Sequence, residues 1–483
     1  MIDSGRIASN FLSLTFAQVV AFACGLGTTI LLARGLGPAS YGLLGFGQAF
    51  IGFATLAVVN GTDTFGARTI ARTGNVPPSL VSHILGLRLA LAAAVVPAVL
   101  AIAYGIGLPG RTANVIAIQA LGAAVAVISV DFVFQGIQRM GLIAIRQSAA
   151  SVLVLAGTAL LVSAPDDVYV AAVLPVVALA ATSVWMASRL TRLGAGIRPR
   201  FDRAAWRGIL AVSIPIGLGG FSVAVFQYTD VLMLGFVRPE EEVGRYVAMG
   251  RLYIIIVTAG NLLSAVFAPV LARVHDDPSA DRSGIFRRFL LSILAFGGPA
   301  SAGVAALPGH AMDFLFGADY RADGPVLVIV MLAAFAFLVS VATSTALVAW
   351  NDERFHVKAL AASAVVNIAL NFALIPAFGL AGAAFATFAA VVLLAGAEAY
   401  RLSRRHGVAV SGDVLRCTAL IALPFGGAAL ASELAAGTAV AAHPGVALAV
   451  FGGAAFAIFA TAATASGIVR PGRIVAALFG RGL

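Results

Sequence analysis

The chain has 483 residues, enough for three soluble domains by length, but 60% are hydrophobic and only 11% are charged. A soluble surface draws on about 25% charged residues, so several globular cores are excluded, as is a disordered chain, which such apolar content would collapse. What remains is a polytopic membrane protein with mean hydropathy +1.00 and a formal net charge of +10 from 31 basic and 21 acidic residues.

A bilayer core of about 30 Å takes roughly 20 apolar residues per helix. That ruler predicts spans near 8–33, 40–60, 81–106, 112–135, 140–163 and 168–190, then near 208–235, 244–270, 288–307, 325–349, 358–378 and 380–400, and last near 414–436 and 444–466. The first two, and the eleventh and twelfth, form tight hairpins. The opening apolar run is too long for a cleaved signal peptide and leads straight into a second span. With the N-terminus in the cytoplasm, inside segments hold 23 Lys/Arg and outside loops hold 5. Arg189–Arg207 alone carries six arginines against Asp202, whereas outside loops carry Asp166, Asp167 and Glu240–Glu242. This positive-inside pattern and the even count of 14 place both termini in the cytoplasm.

The basic stretch near 191–207 divides the first twelve spans into two sixes. Pro38 followed by Tyr41-Gly42 is echoed by Pro239 followed by Val243-Gly244-Arg245-Tyr246, and Gln135–Arg139 by Trp350–Arg354. Six spans per half is even, so the repeat is parallel, as in transporters that work at a repeat interface. The expected organisation is an N-terminal six-helix bundle over 1–200, a second over 201–407, and two extra helices with a cytoplasmic tail over 408–483.

Cys24 and Cys417 lie in apolar runs and read as packing residues. Neither a disulfide framework nor zinc spacing is present. The one lysine, Lys358, follows no Gly-rich loop, so the chain carries no Walker A motif and no ATP site of its own. An enzyme would need a large outer loop or a buried catalytic His; His83, His275, His310, His356, His406 and His443 all sit in loops or at span ends. The chain is expected not to be an enzyme.

Charged groups at membrane depth cost about 2.5–3.5 kcal/mol on insertion scales and persist where they face protein or water. They are Arg88, Asp131, Arg146, Asp230, Arg251, Glu398 and Glu433. Arg88, Arg146 and Asp131 fall in one layer of the first half. Arginines there suit a phosphate bidentately; the other reading is an Asp131–Arg ion pair with snorkelling. Arg251, near the outer end of span 8, could take the same anion after a change of access. Asp230, Asn371 and Thr387 share a layer in the second half, with Asn367 one turn deeper on the Asn371 face. Their hard oxygens suit a monovalent cation; interhelical hydrogen bonding is the other reading. Glu398 reads as interfacial, near the cytoplasmic end of span 12, and Glu433 likewise near an outer end. Pro215, Gly217, Gly219 and Gly220 would let span 7, which carries Asp230, bend.

After a first span with Asn10-Phe11 and Gln18 comes LARGLGPASYG, Leu32 to Gly42; the second half carries LFGADY, Leu315 to Tyr320, and NIALNFALIPAFGLAGAAFAT, Asn367 to Thr387. In these motifs, over about residues 1–410, the chain resembles the Wzx-type polysaccharide, or lipid-linked oligosaccharide, flippases of the MOP superfamily (multidrug/oligosaccharidyl-lipid/polysaccharide exporters). The resemblance implies an all-α integral membrane protein of 14 transmembrane helices, with two parallel-repeat six-helix bundles in a V plus two C-terminal helices. It implies alternating access that moves an undecaprenyl-pyrophosphate-linked oligosaccharide from the inner to the outer leaflet of a bacterial cytoplasmic membrane, for O-antigen or exopolysaccharide synthesis. Related lipid II flippases build a sodium site on spans 7, 11 and 12; by position Asp230, Asn367, Asn371, the Ala383 carbonyl and Thr387 resemble it, with an Asn where an acid is expected. On this reading the substrate sites are Arg88, Arg146 and Arg251, with Asp131 as ion-pair partner. There is no organic cofactor, Na+ or H+ is the coupling ion, and the partners are membrane lipids and polysaccharide polymerase or export proteins, not nucleic acid. The alternative is a cation-coupled, MATE-like multidrug exporter of the same superfamily, which favours acidic and aromatic groups over arginines in its cavity.

Overall fold

The computed structural model describes residues 4–192, 198–276, 280–321, 323–438, 440 and 443–465; part of the basic loop, 193–197, and the tail, 466–483, lie outside the described residues. Regular structure among the described residues is all helical. In lipid a helix satisfies every backbone N–H and C=O within its own segment. Among the described residues, twelve segments are long and apolar enough to cross a membrane. Large side chains facing away from protein are apolar too: Leu160 is 81% exposed and Leu423 78%. Such a surface is a liability in water and a match for lipid. This is a multi-pass membrane protein.

The chain divides into two compact units, Met1–Val247 and Ala248–Leu483. The first holds α1 (Ser4–Val59), α2 (Thr62–Thr73), α3 (Pro78–Gly105), α4 (Gly110–Val125), α5 (Asp131–Gly136), α6 (Met140–Leu161), α7 (Val168–Thr191), α8 (Arg203–Val237) and the start of α9 (Glu240–Asp276). The second takes the rest of α9, then α10 (Arg282–Ala306), α11 (Pro308–Phe316), α12 (Gly324–Ala349), α13 (Glu353–His406), α14 (Ser411–Leu434) and α15 (Pro444–Ala465), which contains a π-helical turn at Leu448–Gly452.

Sequence division near residue 200 and structural division inside α9 differ for a packing reason. The helices after the basic loop close onto α1 and α2 through glycines. A Cβ on Gly61 would strike the Ser213 carbonyl, one on Gly52 the Tyr228 ring, and one on Gly235 the Phe46 ring. Small residues let helix backbones approach this closely in membranes, where dispersion rather than the hydrophobic effect drives association. The stretch after the basic loop is tied to the same unit: the Arg200 N–H donates to the Ser82 carbonyl and Trp206 Nε1 to the His83 carbonyl. A core of Ile70, Ile84, Leu87, Phe132, Phe134 and Met186 sits beneath.

The expected fourth span, 112–135, is broken. α4 tightens into a 3₁₀ turn at Ala126–Ile128, Ser129 is extended, and α5 starts at Asp131.

α1 and α13 hold 56 and 54 residues, interrupted at Gly37 (φ 69°, ψ 172°) and Gly379 (φ 55°, ψ −127°), within the two hairpins expected to be tight. Glycine reaches positive φ without a Cβ clash. In α13 the break reverses the chain. A Cβ on Gly382 would strike the Leu374 backbone, and Asn367 Nδ2 donates to Thr387 Oγ1 at 3.3 Å. In a straight helix those pairs would lie roughly 12 and 30 Å apart at about 1.5 Å per residue.

The turns singled out as matching are built alike. The Arg139 N–H donates to the Phe134 carbonyl and the Asp352 N–H to the Leu347 carbonyl, both at 2.8 Å. Gln138 (φ 57°) and Asn351 (φ 58°) take the left-handed position that such helix C-caps require.

Candidate functional site

Arg88 projects from α3 and is completely buried. Its Nε donates to Thr62 Oγ1 (2.8 Å), Nη1 to the Ser129 carbonyl (3.0 Å) and Nη2 to Asp63 Oδ1 (2.6 Å), with the Phe132 ring 5.5 Å from the guanidinium carbon. Each partner has a local cause. Thr62 and Asp63 open α2, where the helix dipole favours an acid. The Ser129 carbonyl points at Arg88 from the break between α4 and α5. Arg88 thus joins α2, α3 and that break, and Asp63, 41% exposed, carries its negative charge toward the surroundings. Asp63 and Thr62 lie between the second and third expected spans, and the signal for them in the sequence is an Asp in a first helical turn.

Asp131, first residue of α5, pairs with Arg146 of α6 at 2.5 Å. Their side chains are 23% and 12% exposed, so this pair is less enclosed than Arg88. Each arginine of the layer therefore has its own aspartate, and the four charges balance. Arg251 lies half-buried on α9 in the second unit.

Of the expected cation ligands, Asp230 belongs to the first unit, where it is buried on α8 and accepts from Tyr246 Oη at 2.8 Å. Tyr246 comes from the Gly244-Arg245-Tyr246 motif. Asn367, Asn371, Ala383 and Thr387 belong to α13 of the second unit. Asn371 Nδ2 donates to Asn367 Oδ1 (3.1 Å) and Asn367 Nδ2 to Thr387 Oγ1 (3.3 Å), a seam across the two arms of α13. Ala383 is buried in the second arm. Within this seam Thr387 Oγ1 and Asn367 Oδ1 act as acceptors.

Glu398, expected near the cytoplasmic end of span 12, is enclosed by protein. It is completely buried on the second arm of α13. Its Oε1 lies 2.7 Å from His356 Nδ1, and its Oε2 accepts from Ser340 Oγ (2.8 Å) and Thr343 Oγ1 (2.7 Å) of α12. Nearby, Asp352 in the turn between α12 and α13 accepts from Arg401 Nε (2.7 Å), Arg401 Nη2 (3.1 Å) and Arg405 Nη1 (3.0 Å). The hydrogen bond from Arg401 outweighs burial and holds the Asp352 carboxyl below the usual carboxylate range. Sequence reasoning could not join Glu398 to His356, 42 residues away.

A family of polysaccharide biosynthesis proteins matches residues 7–275, more than half of the chain. The chain belongs to that family. A relative, the probable low-salt glycan biosynthesis flippase Agl15 of Haloferax volcanii, is 25% identical over 181 residues. That match covers 36% of this chain and 37% of the relative, so the chain aligns with little more than a third of that archaeal protein. Among solved structures, the lipid II flippase MurJ in an inward closed conformation superposes with TM-score 0.74 at 15% identity, over 96% of this chain and 100% of that one. An inward-facing multidrug resistance MATE transporter of the MOP superfamily superposes with TM-score 0.61 at 15% identity, over 83% and 100%. The fold is that of MOP-superfamily transporters.

Proposed function

We propose that this protein is an alternating-access flippase that carries a lipid-linked oligosaccharide, with an undecaprenyl-pyrophosphate type of carrier, across a cytoplasmic membrane for cell-surface polysaccharide synthesis. Its family and its MurJ-like fold support the class. The observation that carries the substrate reading is the Arg146–Asp131 pair: a guanidinium at membrane depth, only partly enclosed, whose aspartate a phosphate could replace. Guanidinium binds carboxylate and phosphate through the same planar fork, so exchanging one for the other keeps the hydrogen bonds and keeps the anion neutralised. Arg88, locked to Thr62, Ser129 and Asp63, holds the layer in place rather than meeting substrate. Arg251, half-buried on α9, is the candidate to receive the anion after the change of access.

Breaks at Gly37 and Gly379 support reading α1 and α13 as two crossings each, fourteen in all. The arginine distribution then sets both termini on the cytoplasmic side, and the alike turns at Gln138 and Asn351 support two parallel repeats. A polar glycan headgroup cannot cross hydrocarbon unaided; the protein shields it while the lipid tail stays in the bilayer.

The test is surface glycan export in cells lacking the endogenous flippase. Arg146→Glu should abolish export while the protein stays in the membrane, and the swap of Arg146→Asp with Asp131→Arg should restore the ion pair without restoring export. Export by the swapped protein would mean the pair is structural only. Drug extrusion by the wild type without glycan export would favour the multidrug reading that the MATE likeness leaves open.

A further inference from the structure

We propose that the His356–Glu398 pair is the site at which this transporter takes up a coupling proton; the coupling half of this inference rests on the transport reading above. Glu398 is a carboxylate with no solvent exposure inside a bundle of apolar helices, and an intramembrane ionisable group of this kind is functional by default. Every oxygen contact it makes suits both of its charge states. With Glu398 ionised, His356 Nδ1–H donates to Oε1, while Ser340 and Thr343 donate to Oε2. With Glu398 protonated on Oε1, the same 2.7 Å contact runs the other way, O–H to Nδ1, and Oε2 keeps its two hydroxyl donors. No heavy atom has to move, so the cluster holds or releases a proton without leaving a buried polar group unpaired.

The transfer balances through the imidazole. A proton from water binds His356 Nε2; the Nδ1–H bond breaks as the Oε1–H bond forms. The ring returns to neutrality in its other tautomer and Glu398 becomes a neutral acid. His356 is 22% exposed against none for Glu398, so the ring is the group that reaches toward the surroundings. Among the described residues, the groups facing Glu398 are the two α12 hydroxyls and His356. The charged residues about one and two turns further along its arm, Arg401 and Arg405, are turned onto Asp352, as is His406 at 3.7 Å. That second cluster already fastens the α12–α13 turn, which frees the His356–Glu398 pair from a purely fastening role. Protonation also replaces the charge-assisted bonds that tie the second arm of α13 to α12 and to the first arm with weaker neutral ones, which is how uptake would loosen this joint.

The experiment uses the full-length protein in liposomes with two readouts. Infrared difference spectra between acid and alkaline buffer should contain a protonated-carboxyl band that Glu398→Gln loses. Spectra identical in wild type and a folded Glu398→Gln would overturn the proton site. If Glu398→Gln does not fold, His356→Gln takes its place: the carboxyl band should respond to that change, and an unaltered band overturns the relay. In the second readout, movement of a fluorescent undecaprenyl-pyrophosphate-linked disaccharide should be stimulated by a pH gradient in wild type. His356→Gln should lose the stimulation while keeping residual movement. Full stimulation in His356→Gln would overturn coupling through this pair. A wild type that shows the infrared band but never moves the probe would count against the flippase reading and against coupling while leaving the proton site standing.

Discussion

Gly42 of α1 and Gly244 of α9 meet in a reciprocal crossing within the first unit: a Cβ on Gly42 would strike the Glu240 carbonyl, and one on Gly244 the Pro38 carbonyl. Each glycine touches the carbonyl four residues before its counterpart. The two stretches that echo each other in the sequence therefore pack against each other as near-equivalents. Both hypothetical contacts lie inside 3.0 Å and involve backbone, which cannot rotate away. Gly42→Ala and Gly244→Ala should each lower thermal stability, by about 1–3 kcal/mol as overpacking does elsewhere. Gly250→Ala, with open space around its Cβ, should be close to silent. Melting curves of the three purified variants make the comparison.

Arg88 should tolerate no conservative change. Lysine keeps the charge but cannot reach Thr62, Ser129 and Asp63 together, and removing one partner of a buried pair costs about 3–5 kcal/mol. Arg88→Lys and Arg88→Ala should both cut the amount of folded protein in membranes. Arg146→Lys, at the partly exposed pair, should leave that amount near normal. Equal loss at the two positions would contradict the difference in enclosure.

Asp352 sets an acid limit. Its carboxyl titrates below its unfolded value because of Arg401, so the stability it contributes is complete above the ordinary carboxylate pKa of about 4 and is lost as pH falls through the depressed folded value. Asp352→Asn should cost about 1–3 kcal/mol at neutral pH, toward the low end because Arg401 and Arg405 are partly exposed and can rehydrate. It should also flatten the fall in melting temperature below pH 4. An unchanged acid limb in Asp352→Asn would remove Asp352 from the cause.

The asparagine seam separates hydrogen bonding from sodium binding. A bound ion raises melting temperature with its concentration by mass action. Exchange of sodium for potassium should leave the melting temperature of the protein unchanged, and Asn367→Leu should cost about 1 kcal/mol as a lost interhelical hydrogen bond. A sodium-dependent rise that Asn367→Leu abolishes would establish a cation at the seam.

Helix class, the membrane environment, the approximate spans and the positions of both long-helix breaks could be read from residues alone. Hydropathy over about 20 residues and glycine's access to positive φ are local properties. The matched turns at Gln135–Arg139 and Trp350–Arg354 were legible for the same reason, although the structural register pairs Gln138 with Asn351. The break at Ser129 was harder to see, because β-branched residues are common in membrane helices and rarely stop one.

Partner choice was decided by tertiary structure. Arg88 and Asp63 are separated by 25 residues, Glu398 and His356 by 42, and of the two arginines in its layer Asp131 pairs with Arg146. A buried charge takes whichever counter-charge the packed helices bring within about 3 Å, since desolvation leaves it no alternative. That distance depends on helix rotation and crossing, which many small glycine and alanine contacts set together. Apolar periodicity determined that these helices lie in a membrane; only their packing determined that Glu398 would be sealed in with a histidine and two hydroxyls.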